Sequence, residues 1–158
     1  MKAFAFHSAS TPSVTFTRWT YEGEAGWSFW RDPRTFRLYG RVIDQVHVDD
    51  PGLFLLPDYA FLGGRAGLWG FEPGRFRDAD LVQSRLTYIS PIARYLETDV
   101  HAEASTVTPR VGEVRIDDLE TSYGFALRIR SPHAPLAWGG LDWGRERIRL
   151  RFGIGGVE

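Results

Sequence analysis

The chain of 158 residues has no cysteine and no asparagine, two glutamines, one methionine and one lysine. Without cysteine there can be no disulfide, no thiolate metal site and no cysteine nucleophile. No run of 18 apolar residues occurs, so no membrane-crossing helix and no membrane partner are expected. The opening MKAFAFHSASTPS holds one Lys and too short an apolar stretch for a signal peptide. Synthesis in the cytoplasm without a leader is therefore expected. Scarcity of thermolabile side chains is a tendency of proteins from hot environments, so a thermophilic source is expected. An arginine excess (18 of the 19 basic residues) also fits a GC-rich genome. A formal net charge of −1 argues against a protein held to nucleic acid by phosphate neutralisation.

Hydrophobic residues make up 43% of the chain and charged residues 25%, an ordinary globular balance. The length suits a single β domain spanning 1–158, large enough for its own core. The dominant period is two. In YGFALRIRS, Tyr123, Phe125, Leu127 and Ile129 share one face, with Gly124, Ala126, Arg128 and Arg130 on the other. TFRLYGRV, LVQSRLTYIS and YLETDVHAEAS also read as strands, the last with Leu96, Thr98, Val100 and Ala102 on one face, and GEVRID pairs Val114 with Ile116. SVTFTRWTYEG alternates at Val14 and Phe16 and resumes out of phase at Trp19 and Tyr21, which predicts a β-bulge near Thr17–Arg18. Turn signals such as DPRT, DDPG, EPGR, TPRVG, SPHAP and WGGLDWG separate these runs. Only SPIARYLE has helical spacing, over a turn or two. The expected fold is an all-β antiparallel sandwich or barrel of about eight to ten short strands with at most one short helix.

Catalytic signals are few. His47–Asp49 and His101–Glu103 are H-x-acid pairs; His47 and Asp49 with a distant His101, followed by Arg110, imitate the facial triad of a jelly-roll metal-dependent oxygenase. Two such pairs among four histidines are close to chance, and ordinary strand hydrogen bonding explains them equally well. The neighbouring acids Asp49–Asp50 and Asp117–Asp118 border turns and read as turn or capping residues. GGRAGLWG (63–70) opens no helix and so forms no phosphate cradle; it reads as a loop with exposed Leu68 and Trp69. No G-x-S-x-G elbow is present. The chain is read as non-enzymatic, with no catalytic residue, metal or cofactor.

Aromatic residues are the richer signal, at 15% of the chain. GWSFWRDP holds Trp27, Phe29 and Trp30, and LAWGGLDWG holds Trp138 and Trp143. Core packing would use many of them; Trp and Arg in loops are also the types enriched at interfaces. In WGRERIRLRFGIGG, Arg147, Arg149 and Arg151 alternate with Ile148, Leu150, Phe152 and Ile154. The expectation is an apolar inner face and an arginine outer face. Like charges two apart repel, so the row needs acids on the adjacent strand, a partner surface or a polyanion.

The segment YGFALRIRSPHAPLAWGGLDWGRERIRLRFG, residues 123–153, resembles one found in tail-associated structural proteins of bacteriophages. There an alternating Arg-bearing strand passes through a polar turn into a strand rich in Gly and Trp or Leu. The resemblance implies a β-rich, non-catalytic virion component, located in the virion, that contacts copies of itself or other virion proteins. Trp138, Trp143, Arg147, Arg149 and Arg151 are then the candidate interface, with Trp27, Phe29 and Trp30 as a second patch. A ligand- or carbohydrate-binding β-module using the tryptophan loops is the alternative, and a concave cleft lined by two or more tryptophans would favour it.

Overall fold

The computed structural model describes residues 5–11, 14–29, 34–47, 59–131 and 135–155, with the backbone alone described for 5–16, 47 and 135. Ten strands account for most of these residues: β1 Ala5–Thr11, β2 Val14–Phe29, β3 Arg34–His47, β4 Ala60–Leu62, β5 Phe76–Asp78, β6 Asp80–Ala93, β7 Leu96–Thr108, β8 Glu120–Arg130, β9 Pro135–Gly144 and β10 Ile148–Ile154. The fold is all-β and antiparallel, as the period of two predicts. Eight strands form one sheet in the order β1-β2-β3-β6-β7-β8-β9-β10, and β4 pairs with β5 as a separate hairpin. Among the described residues the only helical elements are three-residue 3₁₀ turns.

Several local expectations change. SPIARYLE is no helix: it closes the β6–β7 hairpin, with a register shift between Pro91 and Ala93. Val111–Glu113 and Ile116–Asp118 are 3₁₀ turns, so GEVRID is not a strand. WGGLDWG lies within β9 rather than in a turn. The β1–β2 pairing runs without a register shift through Thr17 and Arg18, so the expected bulge is absent there.

The sheet curls. Residues of β2 and β10 line one cavity, although they stand six strand steps apart in the sheet order, about 29 Å if it were flat. The curl encloses the face that carries Arg37, Arg41, Gln83, Arg85, Asp99, His101, Glu103, Arg128, Asp142 and Arg151. The opposite, convex face carries Leu38, Leu86, Tyr123 and Trp143 in one cross-strand row and Phe36, Tyr88, Val100, Phe125 and Leu150 in the next. Sequence periodicity therefore separates the two faces correctly, but the expected assignment of inside and outside in β10 is reversed. Ile148, Leu150, Phe152 and Ile154 are 72–95% exposed, while Arg149 and Arg151 point to the enclosed side.

The reversal has a local cause in the β4–β5 hairpin, which packs on the enclosed face at one end. Its Leu62, Leu68 and Phe71 meet Ile43 of β3 and Leu81 of β6 to form the buried core, with Phe76 and Val107 against it. Burying each of these large side chains contributes about 1.5–3 kcal/mol. Leu68 and Trp69 were expected to be exposed and are instead 0% and 8% exposed. Positive φ angles at Gly63, Gly64, Gly67 and Leu68 turn GGRAGLWG back on itself, with the Gly63 amide donating to the Gly67 carbonyl at 2.8 Å. That turn aims Leu68, Trp69 and Phe71 at the sheet. Glu72 and Glu146 clip the hairpin to the β9–β10 turn through Arg147 (2.6 Å) and Arg75 (2.7 Å).

Candidate functional site

Beyond the apolar core, the enclosed face becomes polar and surrounds a cavity of about 480 Å³. Successive cross-strand rows build it. The first contains Glu22, Arg41, Gln83 and Ser105; the second Glu24, Tyr39, Arg85, Glu103 and Ser122; the third Arg37, Thr87, His101, Gly124, Asp142 and Arg149. Because strand side chains alternate, one register error would send every one of these groups to the convex face.

Trp69 is the hub. The guanidinium carbons of Arg85 and Arg151 lie 3.8 and 3.7 Å from its ring centroid, and the His101 ring meets it edge-on at 4.8 Å. These contacts are cation–π and aromatic edge contacts in a water-poor setting. Each arginine also has a carboxylate. Arg85 donates to Glu103 Oε1 at 2.7 Å, and Glu103 Oε2 accepts from the Trp69 amide at 2.7 Å and the Ser122 hydroxyl at 2.6 Å. Arg151 forks onto both oxygens of Asp142, and Arg128 donates to Asp99 at 2.5 Å. Such buried charges are tolerated because each is paired and hydrogen-bonded.

His101, 2% exposed, lies between two of these acids. Its Nδ1 is 3.4 Å from Asp99 Oδ1 and its Nε2 2.8 Å from Asp142 Oδ1. The second contact is close enough for an ion pair but is not aligned as a hydrogen bond, which leaves Nε2 without a hydrogen-bond partner. Gly124 makes this approach across β8 feasible: a Cβ there would fall 2.1 Å from Asp142 Oδ1 and 2.6 Å from the imidazole.

One row is left unsatisfied. Arg41 Nε, Gln83 Oε1 and Ser105 Oγ are buried without a hydrogen-bond partner among the described residues, and they occupy neighbouring register positions on β3, β6 and β7. Gln83 is 4% exposed and Ser105 0%. Arg41 and Arg65 line the cavity, and neither has a hydrogen bond or ion pair to another described residue. Four of the six arginines that line the cavity are paired with acids, Arg37 with Glu24, Arg85 with Glu103, Arg128 with Asp99 and Arg151 with Asp142, which leaves Arg41 and Arg65 beside the lining acid Glu22. A concave site with two unpaired arginines and one unpaired amide acceptor suits a small anion that also carries a donor.

Strand parity splits the residues expected to form an interface. Trp138 and Arg151 are in the cavity, their contact 5.2 Å from guanidinium carbon to ring centroid. Arg149 donates to the Phe71 carbonyl, and Arg147 pairs with Glu72 in the turn. The arginine row is thus answered by acids and a carbonyl of its own chain. Trp143 lies on the convex face, stacked on Tyr123 at 6.3 Å, as do Trp27 and Phe29, both against Phe36. Trp30 lies outside the described residues.

The metal triad does not assemble. Asp49 lies outside the described residues, and the His47 side chain is likewise not described. The β3 residue in the row of His101 is Arg37, which places His47 ten positions further along the strand, about 33 Å away at the usual rise. Among the described residues no group of three metal-binding side chains exists. Sequence reading missed Arg41, Gln83 and Asp142 and placed Trp69 in an exposed loop. The H-x-E spacing did mark His101 and Glu103 as sharing a face, though not which face.

The fold and site define a curled antiparallel β-meander with an arginine-rich concave face. A scan against protein-family models finds no match, and no curated protein is significantly similar in sequence.

Proposed function

We propose that the protein binds a small organic anion, a carboxylate or phosphate that also bears an N–H or O–H donor, in the cavity of the curled sheet. The observation that carries this reading is the row of Arg41, Gln83 and Ser105, buried with unsatisfied polar atoms. Arg41 and Arg65 receive the anion, Gln83 Oε1 accepts from the ligand's donor, and the Ser105 hydroxyl lies behind them. Trp69 and Trp138 give the cleft the two-tryptophan lining that favours a ligand-binding module over a flat assembly surface. A neutral sugar is the poorer fit, because Arg85 and Arg151 already occupy the Trp69 ring.

Titration calorimetry with a panel of aliphatic and aromatic carboxylates, phosphate monoesters and neutral sugars tests the reading. Acids are expected to bind and sugars not to. Arg41→Gln is expected to weaken acid binding by about 1.5–3 kcal/mol, the worth of a hydrogen bond to a charged group. Absence of binding by every acid, or equal binding by Arg41→Gln, refutes it. A virion assembly component is the second reading, supported now by Trp27, Phe29 and Trp143 on the convex face rather than by the arginine row. Assembly into rings or tubes through that face is its test.

A further inference from the structure

The convex face poses a separate question. On β8 it presents Tyr123, Phe125, Leu127 and Ile129, and on β10 four large apolar side chains, all more than a third exposed. Within the paired rows of this face, from the row of Leu38 and Trp143 to the row of Phe36 and Leu150, no charged residue occurs. Across the six strand steps from β2 to β10 and the length of β10, the face covers on the order of 600 Å² in projection. That reaches the top of what water-soluble monomers leave uncovered.

We propose that the convex face is the lipid-facing wall of a membrane β-barrel, and that its occupant is the hydrocarbon of a bilayer. Curvature selects this occupant: a second copy laid against a convex sheet touches it along a strip, whereas acyl chains conform to all of it. Strand length fits for six of the eight strands: β2, β3, β6, β7, β8 and β9 run from 10 to 16 residues, β1 and β10 seven each, and a tilted strand needs about 9–11 to cross. β2 places Trp19 and Tyr21 toward its middle and Trp27 and Phe29 at its C-terminal end, with Gly23 and Ala25 between. Trp19 and Trp27 are about 26 Å apart along the strand, about 19–22 Å in height at the roughly 35–45° tilt of such strands, a little short of an apolar band about 25 Å tall. On the convex face of the eight-stranded sheet the charged residues, Arg34, Asp44 and Asp80, lie toward strand ends, and the rows of Gly40, Leu38 and Phe36 between them carry none. The other charges of the sheet are on the enclosed side, where each strand of a membrane barrel turns its polar residues. Hydrocarbon does not tolerate open sheet edges, so the proposal includes pairing of β1 with β10, and eight antiparallel strands suffice for the smallest such barrel. Among the described residues no helix is long and apolar enough to cross a membrane, a criterion that does not apply to strands.

The test uses the full chain mixed with phosphatidylcholine vesicles whose acyl chains are brominated, against unbrominated vesicles. Bromine quenches tryptophans that touch hydrocarbon. Marked quenching is expected in the unmodified chain. Trp27→Phe with Trp143→Phe is expected to remove roughly half or more of the quenchable signal, since Trp19 is the remaining described tryptophan on the outer wall. Trp69→Phe is expected to leave it unchanged. Phe125→Arg, on the apolar face, is expected to cut vesicle insertion at least tenfold while Phe125→Leu retains it. No quenching, or a chain that stays monodisperse in water without detergent as a monomer or as an assembly of copies, overturns the proposal. The anion-binding reading stands or falls separately, because its residues occupy the other face.

Discussion

Adding one methyl group at Gly124 tests the charged interior most directly. Gly124 sits on β8 between His101 and Asp142 in the register, and a Cβ there would meet Asp142 Oδ1 at 2.1 Å and the imidazole at 2.6 Å. Neither neighbour can withdraw cheaply. Asp142 is fully buried and held by the fork of Arg151, while His101 is held against Trp69. Overpacking of this kind costs about 1–3 kcal/mol. Separating His101 from Asp142 also gives up their 2.8 Å approach. Alanine returns about 0.5–1 kcal/mol through its better strand conformation. Gly124→Ala should therefore destabilise by about 1–3 kcal/mol. Gly23→Ala is the matched control, because a Cβ there meets nothing within 4 Å; it should be neutral or slightly stabilising. Denaturant unfolding followed by tryptophan fluorescence, in a solvent that keeps both variants monodisperse, measures the difference. If Gly124→Ala unfolds at the same denaturant concentration as Gly23→Ala, the close His101–Asp142 approach across β8 is wrong.

Glu103→Gln should also destabilise strongly. It leaves Arg85 without its carboxylate and puts an amide where Trp69 N and Ser122 Oγ both donate, a loss of about 3–5 kcal/mol by the same unfolding assay. In the hairpin clip, hydrogen bonds from the Arg75 guanidinium hold the Glu146 carboxyl below the usual glutamate range. Because that value is depressed on folding, the clip's stabilisation is present above the ordinary glutamate range and disappears as pH falls through the lowered value. A carboxyl-carbon NMR titration should show the Glu146 midpoint rising in Arg75→Gln; an unchanged midpoint would remove the clip. Loss of anion binding in Arg41→Gln and quenching by brominated lipid complete the set.

Much of the fold was legible because pleat alternation is a local property. Tyr123, Phe125, Leu127 and Ile129 must share a face whatever surrounds them, and so must Arg149 and Arg151. The antiparallel meander follows from short turn signals between such runs. The site was less legible because its parts are far apart in sequence. Trp69 reaches Arg85, His101 and Arg151 only through the backward turn of GGRAGLWG and the curl of the sheet. Nothing in the spacing of Asp142 marks it as the partner of His101; the absent side chain of Gly124 does, and its importance appears only when β7, β8 and β9 are in register.

The sequence by itself determined that the chain is all β, where most strands lie, and which residues share a face. Only the tertiary structure decided which face is enclosed. The usual rule, apolar side in, assigned Ile148, Leu150, Phe152 and Ile154 to the core and Arg149 and Arg151 to the surface. Direction of curl is a collective property of eight paired strands and of the hairpin that packs on one side. Here the hairpin's Leu62, Leu68 and Phe71, with paired carboxylates for the arginines, make the polar side the inner one.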